Sequence, residues 1–256
     1  MITPEQQILT FVLILSRVSA FIAFLPLFAR RQLPMTVKSG LATALTIFWF
    51  GALPVEDYVT QDINFLTATL LICKEIGIGF LLATLFGFIF VPARIAGAYV
   101  GQEVGLSLAS VTSPSGTDSS TLVTTIFESL AILLFFGLNL HHYMIVFLHL
   151  SLVQLAGKIE LHNLPTELLV QMTASLSEFG ILIIAPVGIC MFVLTVSLGL
   201  LNKAAPSLNL FSVGMSLRSG LGILCMFVFM PVIVGSFKMF FERYQADLQS
   251  FLMYFS

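Results

Sequence analysis

The sequence predicts an all-α integral membrane protein, and its composition and hydropathy pattern are the reasons. Of its 256 residues, 58% are hydrophobic and only 9% are charged, whereas a soluble domain has about 25% charged residues. The mean hydropathy is +1.03, and the apolar residues fall in runs of about 20, the length that crosses a bilayer. The formal charge of −2 provides no general attraction to nucleic acid. A soluble enzyme, a nucleic-acid-binding protein and a secreted disulfide-bonded domain are therefore disfavoured.

Six apolar runs follow one another along the chain and define the candidate helices. The first run has 21 residues, which at about 1.5 Å per residue is enough to cross a hydrocarbon core of about 30 Å. The six runs cover residues 8–28, 41–55, 65–91, 122–152, 179–201 and 217–237. Hydropathy alone therefore allows up to six membrane-spanning helices.

Two of these runs have lengths that do not suit a simple membrane span. Residues 41–55 form a run of only 15 that includes Gly51 and Pro54, and residues 122–152 form a run of 31. A short span has to be sheltered by other protein, and an overlong one has to bend or break. We therefore predict broken helices or helical hairpins that pack against protein partners.

The longest polar stretch separates the third and fourth runs. It covers residues 107–121 and combines Pro114 and Gly116 with many serines and threonines, a composition typical of a loop. No other linker, low-complexity tract or internal repeat interrupts the chain. Residues 1–256 are therefore predicted to form one membrane-type unit with a single prominent loop.

Several charged residues lie inside or beside the apolar runs, where an unpaired charge costs about 2.5 to 3.5 kcal/mol on insertion scales. We expect them to form structural pairs or to face protein partners, and a proton pathway is the alternative. These charged residues are Arg17, Lys74, Glu75, Arg94, Glu103, Glu128 and Glu178.

Three glycines are spaced four residues apart at Gly97, Gly101 and Gly105. On a helix this spacing produces a stripe without side chains, which lets another helix approach closely. Neither GxGxxG nor GxxxxGK[ST] occurs, so the stripe does not predict a phosphate-binding loop. We predict that these glycines serve helix packing.

No residue pattern predicts catalysis, a metal or a cofactor. His142 and His149 are seven residues apart, but no HExxH motif or carboxylate at ligand spacing accompanies them. Cys73, Cys190 and Cys225 lie in apolar runs without CxxC spacing, which is typical of buried small side chains. We expect a protein that is not an enzyme and that holds neither metal nor cofactor.

Four groups of residues occur in the order found in one protein family. The first comprises Arg17, Pro26, Pro34 and Lys38; the second comprises Arg94, Ala96-Gly97, Gly101-Gln102 and Gly105-Leu106-Ser107; the third comprises Phe135, Asn139 and His141. The fourth and most specific is residues 198–211, LGLLNKAAPSLNLF, followed by Gly214. Together they extend over nearly the whole chain. In these motifs the chain resembles the FliR family of flagellar type III export-gate subunits.

The resemblance implies an assembly and a location. It implies that the chain joins FliP and FliQ in a closed, spiral, all-helical gate for unfolded flagellar proteins. Residues 1–175 would form a FliP-like part and residues 176–256 a FliQ-like hairpin. The expected place is the bacterial inner membrane at the flagellar basal body, with the assembled gate displaced toward the periplasm. Further membrane proteins of the export apparatus are implied partners, and nucleic acid is not.

The resemblance also implies roles for particular residues. A plug in the channel lumen would be formed by residues 106–120, including Leu106, Ser107, Leu108, Ser110, Ser113, Pro114, Ser115 and Gly116. A bend in the last hairpin would be formed by Lys203, Pro206, Asn209 and Phe211. Buried charged or polar contacts within or between subunits would be formed by Arg17, Arg94, Glu103, Glu128, Asn139 and His141.

Three alternatives stay open at this point. The chain could belong to the related virulence secretion gate, which shares the family motifs. It could be a small secondary transporter that couples to protons through Glu75, Glu103 and Glu128, although such transporters usually contain internal repeats. An intramembrane hydrolase using Ser107 has no supporting motif.

Overall fold

The fold is entirely α-helical in the computed structural model, which describes residues 4–29, 34–53, 65–105, 122–154, 166–204 and 210–253. Within those ranges there is no strand, and the predicted all-α class is confirmed. The helices are α1 (Pro4–Phe24), α2 (Pro26–Ala29), α3 (Met35–Ala52), α4 (Phe65–Gly87), α5 (Val91–Glu103), α6 (Leu122–Gly137), α7 (Leu140–Gln154), α8 (Thr166–Ala204), α9 (Leu210–Val228) and α10 (Met230–Met253). A 3₁₀ turn at Phe88–Phe90 joins α4 to α5.

Three stretches of helix in the described part of the chain are long and apolar enough to cross a membrane. They are Pro4–Phe24, Phe65–Glu103 and Thr166–Ala204. Two further pairs of helices, each bent by more than 40° at a short break, raise the number to five if each pair counts as one span. These lengths confirm a membrane protein, and the described residues support three to five spans, compared with the six that hydropathy alone allowed.

The overlong run at 122–152 is broken, as its length predicted. α6 ends at Gly137 and α7 begins at Leu140. Between them Asn139 has φ of 58°, a left-handed conformation that asparagine tolerates better than most residues with a side chain. Its carbonyl accepts a hydrogen bond from the backbone N–H of His142 at 3.0 Å, which starts the next helix.

A second break was not predicted from the sequence. The run at 217–237 is divided between α9 and α10, which are bent by 59° relative to each other. Pro231 is the second residue of α10, and its ring removes a backbone donor and crowds the preceding turn. Pro186, by contrast, lies inside the continuous 39-residue helix α8, so a proline alone does not identify the break.

The described residues belong to two compact units that alternate along the chain. Unit 1 draws on Met1–Ile89, Asn139–Val170 and Gln245–Ser256, and unit 2 draws on Phe90–Leu138 and Gln171–Tyr244. The division into parts at residue 175 stays a prediction.

Unit 1 has its core where α1 packs against α3 and α4. The rings of Phe21 and Phe86 are 6.4 Å apart, and Phe86 lies 5.8 Å from Phe147 of α7. Trp49 of α3 is fully buried. Edge-to-face and tilted aromatic pairs at these distances add to the stabilisation from buried apolar area.

Unit 2 has its core where α5 packs against α6 and α8. The side chain of Ile95 fills the space beside Gly180 of α8. One residue earlier on α8, the ring of Phe179 lies 5.1 Å from that of Phe240 on α10. In the sequence, α5 and α6 flank residues 106–121, which lie outside the described residues.

Candidate functional site

A buried ion pair joins three helices of unit 1. The guanidinium of Arg17, on α1, donates two hydrogen bonds to the carboxylate of Glu75 on α4, from Nε at 2.5 Å and from Nη2 at 2.9 Å. Its Nη1 donates to the backbone carbonyl of Ser151 on α7 at 2.5 Å. The side chain of Arg17 is completely buried and that of Glu75 is 6% exposed.

The close, hydrogen-bonded geometry of the Arg17–Glu75 pair offsets the cost of removing both charges from water. A two-point contact between a guanidinium and a carboxylate is the strongest arrangement of such a pair. Because each charge would be costly if it were buried alone, the pair fixes α1 and α4 against each other. It explains how two charged residues are accommodated within apolar runs.

A second ion pair joins α5 and α6 in unit 2. Nε of Arg94 donates to Oε1 of Glu128 at 2.6 Å, and the Arg94 side chain remains 54% exposed. One turn further along α5, a Cβ added to Gly97 would lie 2.5 Å from Cα of Thr124. The two contacts pair earlier residues of α5 with later residues of α6, so the two helices are antiparallel.

The hairpin of α5 and α6 includes the described residues that come directly before and after the predicted plug segment. α5 ends at Glu103, followed by Val104 and Gly105, and α6 begins at Leu122. Residues 106–120 lie outside the described residues, so the plug stays a prediction. The hairpin fixes where that segment would leave and rejoin the fold.

Gly105 has a different role from the one predicted for it. It lies beyond the end of α5 with φ of +81°, and no atom of the described residues lies within 4 Å of where its Cβ would be. Its N–H donates to the carbonyl of Gln102 at 3.1 Å. Gly105 therefore terminates the helix, as glycine commonly does, whereas Gly97 provides a close helix contact and Gly101 is buried on the same helix.

Helix α9 contacts the end of α5 at three neighbouring points. Oγ of Ser219 donates to the carbonyl of Val104 at 2.9 Å. A Cβ on Gly222 would clash with Cγ2 of Val104. Nη2 of Arg218 lies 3.8 Å from a carboxylate oxygen of Glu103. Arg218 thus places a positive charge near a carboxylate at a helix C-terminus, where the helix dipole disfavours negative charge.

Arg218 also binds a hydroxyl on α8. Its Nη2 lies 2.6 Å from Oγ1 of Thr195, and that hydroxyl is 2.8 Å from the carbonyl of Met191. The guanidinium therefore connects α9 to both α8 and the last turn of α5.

The remaining predicted site residues differ in how far they are buried, and some lie outside the described residues. Asn139 is exposed instead of buried, because it forms the turn between α6 and α7. His141 is half-buried, and its ring is 4.1 Å from that of His142. Lys203 is exposed at the end of α8. Of the predicted hairpin bend, Pro206 and Asn209, like the side chain of Phe211, lie outside the described part of the structure.

The contacts made by α9 were not predicted from the sequence. Ser219 and Gly222 lie on one turn beside Arg218, and in an apolar helix this cluster of small and polar residues was the available signal. The choice of Glu75 as the partner of Arg17 was not predicted either, because 58 residues separate them. Within the described ranges, no group of three or more histidine, cysteine, aspartate or glutamate side chains is placed to hold a metal ion.

Comparison with known proteins identifies one family. Residues 8–244 match the family described as "Bacterial export proteins, family 1". Among curated proteins, the chain is 32% identical to the flagellar biosynthetic protein FliR of Escherichia coli (strain K12) over 220 residues, which cover 86% of this chain and 83% of the relative. It is 26% identical to the protein of the same name from Bacillus subtilis (strain 168), over 87% of this chain and 86% of the relative. The protein of that name from Aquifex aeolicus (strain VF5) is 25% identical over 98% of both chains.

Proposed function

This chain belongs to the bacterial export proteins, family 1, as a member of its FliR group, and we propose that it forms, with FliP and FliQ, a closed helical channel for unfolded flagellar proteins. Membership makes it a component of the flagellar export apparatus. The finer proposal is that residues 106–120 close the lumen of that channel as a plug. The proposed location is the inner membrane at the basal body, with the assembled gate displaced toward the periplasm.

The observation that supports the plug most directly is the hairpin of α5 and α6. A segment that closes a channel has to be displaced without unfolding the subunit, so its ends need firm anchors. The ion pair of Arg94 with Glu128 and the close contact at Gly97 provide an anchor on a rigid pair of helices. Functional loops are commonly presented by such rigid scaffolds.

The ion pairs argue against the proton-coupled transporter. Each of the three carboxylates that would move protons lies beside a guanidinium: Glu75 beside Arg17, Glu128 beside Arg94 and Glu103 beside Arg218. Arginine keeps its charge at all physiological pH values. Each of these carboxylates therefore has a structural partner, as expected for charged groups that are packed inside a membrane protein.

The curated relatives favour a flagellar system over the virulence system. The proteins from Escherichia coli, Bacillus subtilis and Aquifex aeolicus all have the name of a flagellar biosynthetic protein. Their matches extend over at least 83% of each relative. This similarity supports flagellar proteins as the exported cargo.

Assembly with partners is the first point to test. The chain would be co-expressed with FliP and FliQ of the same organism, purified through a tag on this chain alone and analysed by native mass spectrometry. We expect one complex that contains this chain and several copies of both partners. A folded, monodisperse monomer or homodimer would contradict the proposal, and proton transport would then be measured with Glu75, Glu103 and Glu128 substituted.

The plug is tested on the assembled complex. Deleting residues 106–120 should increase ion leakage through the complex in a planar bilayer. A second variant, in which a glycine–serine segment of equal length replaces those residues, separates loss of the plug from strain on the anchors. Unchanged leakage in both variants, with native mass spectrometry showing normal assembly, would eliminate the plug.

A further inference from the structure

Two cysteines from different helices lie side by side in unit 2. The thiol of Cys225, on α9, shares a hydrogen bond with the thiol of Cys190, on α8. Both side chains are half-buried, so neither is the fully buried small side chain that its apolar sequence context predicted. The proposed channel function gives no role to either residue, and it does not explain why the two thiols are in contact.

The positions of the two cysteines along their helices agree with this contact. Cys190 lies about four turns before α8 ends at Ala204, and Cys225 lies about four turns after α9 begins at Leu210. At about 1.5 Å per residue, each cysteine is roughly 20 Å along its helix from the connection between α8 and α9. Equal distances from one connection place the two residues at the same level of a helical hairpin.

Two further contacts join α8 and α9 between the cysteines and that connection. Nearer the connection, Cδ1 of Leu198 lies 3.7 Å from where a Cβ of Gly214 would be. Further along, Nη2 of Arg218 lies 2.6 Å from Oγ1 of Thr195. In both contacts, as in the thiol pair, later residues of α9 meet earlier residues of α8. The helices are therefore antiparallel, and the thiol pair is a third contact along one interface.

Helix α5 contacts both arms of this hairpin and limits their sliding. Cε1 of Tyr99 lies 3.7 Å from where a Cβ of Gly188 on α8 would be. Just beyond the end of α5, the carbonyl of Val104 accepts a hydrogen bond from Oγ of Ser219 on α9 at 2.9 Å. Because one helix packs against both arms, the level at which the two thiols face each other is fixed by the fold of unit 2.

This arrangement suits the geometry of a disulfide. Helices that pack with their axes about 8 to 10 Å apart, and whose Cα atoms lie about 2.3 Å from each axis, bring facing Cα atoms to roughly 4 to 6 Å. A disulfide needs Cα atoms about 4.4 to 6.8 Å apart and side chains directed toward each other. The hydrogen bond between the two thiols provides that direction.

We propose that Cys190 and Cys225 form a reversible disulfide that locks α8 to α9 when a hydroperoxide is present. This inference goes beyond the proposed channel function and does not depend on it. A small neutral oxidant such as hydrogen peroxide can reach thiols that are only half-buried. A thiol that is poised next to a second thiol is the usual arrangement of a reversible oxidation site.

The oxidation proceeds in two balanced steps. One thiolate attacks hydrogen peroxide, the O–O bond breaks, and a sulfenic acid and one water form. The second thiol then attacks the sulfenic sulfur, the S–O bond breaks, the S–S bond forms and a second water leaves. The two thiols together lose two electrons and two protons, which reduce the peroxide to water. A thiol reductant reverses the crosslink by thiol–disulfide exchange.

The first test is peroxide oxidation of the unmodified full-length chain in native membranes. Remaining thiols would be blocked with N-ethylmaleimide under denaturing conditions, and unreduced proteolytic peptides would be analysed by mass spectrometry. We expect a crosslinked peptide pair that contains Cys190 and Cys225, is lighter by two hydrogen atoms than the free peptides, and disappears with dithiothreitol. Cys73, on α4 of unit 1, should be absent from that crosslink.

The matched control moves one thiol by a single residue. In Cys190→Ser/Ile189→Cys, the new thiol replaces a side chain that is 65% exposed on α8, and Cys225 is retained. We expect the native pair to crosslink at least about tenfold faster than this control, because the two side chains of a disulfide have to be directed toward each other. Equal rates would overturn the inference. Native thiols that stay free, or that become sulfinic acids without a crosslink, would overturn it as well.

A second readout tests whether the crosslink locks the hairpin. Peroxide should raise the unfolding temperature of the protein purified from those membranes, measured by circular dichroism, because a disulfide restricts the unfolded chain. Dithiothreitol should reverse the increase. Cys225→Ser removes one thiol and retains a side chain of similar size, so its unfolding temperature should not respond to peroxide in this way. A crosslink that forms without this increase would contradict the lock.

Discussion

At the scale of single residues, the pair of Arg17 and Glu75 has the largest energetic consequence. Both side chains are buried, and the guanidinium also binds the carbonyl of Ser151. Removing one partner of such a pair leaves an uncompensated buried charge, whereas replacing both with apolar side chains removes the penalty. The pair therefore specifies which helix faces meet, and its removal as a whole is less harmful than its disruption.

We predict that Glu75→Leu destabilises unit 1 by about 3 to 5 kcal/mol, the usual cost of breaking a buried pair. The double variant Arg17→Met/Glu75→Leu should recover most of that loss. The measurement is the half-life of the full-length chain during limited proteolysis of native membranes. Equal half-lives for the single and double variants would contradict the prediction.

The Arg94–Glu128 pair in unit 2 provides the comparison for that experiment. The Arg94 side chain is 54% exposed and that of Glu128 is 15% exposed, so breaking this pair should cost less than breaking one that is buried on both sides. Arg94→Met should therefore change the proteolysis half-life much less than Glu75→Leu. A similar loss in both variants would show that proteolysis reports on something other than the buried charge.

Asn139 has a conformational role at the turn between α6 and α7. Its φ of 58° is unfavourable for residues with branched side chains. Asn139→Val should destabilise the turn by at least about 1 to 2 kcal/mol, the cost of the left-handed conformation for such residues. Asn139→Gly should be nearly neutral because glycine adopts that conformation readily. Thermal unfolding of the purified complex followed by circular dichroism is the measurement, and equal effects of both variants would contradict this role.

At the scale of helices, close approach depends on particular glycines. A Cβ on Gly97 would lie 2.5 Å from the backbone of Thr124, and one on Gly222 would clash with the side chain of Val104. A Cβ on Gly220, two residues from Gly222 on the same helix, would have no atom of the described part of the chain within 4 Å. Backbone atoms cannot move aside by rotating about a side-chain bond, so the first clash is the more severe.

These contacts predict an order in which the three glycine-to-alanine substitutions reduce the stability of the complex. Gly97→Ala should destabilise most, Gly222→Ala by an intermediate amount of about 1 to 3 kcal/mol, as is usual for overpacking, and Gly220→Ala least. Alanine also has the higher helix propensity, so Gly220→Ala should be neutral or stabilising. Thermal unfolding of the three purified complexes measures the order. A Gly220→Ala variant as unstable as Gly97→Ala would refute the packing argument.

The helices also show which features could be predicted from the sequence. The all-α membrane class follows from composition, and the break near Asn139 follows from a run too long for one span. The partners of Arg17 and Arg94 could not be predicted, because partner choice depends on which helix faces meet after packing. The break at Pro231 was missed for a related reason: Pro186 leaves α8 continuous, so the same residue type has opposite outcomes in two contexts.

At the scale of the whole molecule, the candidate membrane spans differ in how much of their surface the chain covers itself. In the most apolar 18 residues of Phe65–Glu103, 61% are buried, whereas in Thr166–Ala204 only 22% are buried, although its hydropathy is the higher of the two. Helix α8 therefore has a large apolar surface that lipid or another subunit has to cover.

Amide hydrogen exchange can show whether lipid or another subunit covers the apolar face of α8. A protein subunit that packs against a helix suppresses the local opening of that helix and slows exchange of its amides. In one detergent, we predict that amides of α8 exchange about tenfold more slowly in the complex with FliP and FliQ than in the isolated chain. Amides of Phe65–Glu103 should change little, since that span is already buried, and they serve as the internal control. Unchanged exchange in α8 would mean that no subunit covers its apolar face, and the contacts with FliP and FliQ would then have to lie on other surfaces of the chain.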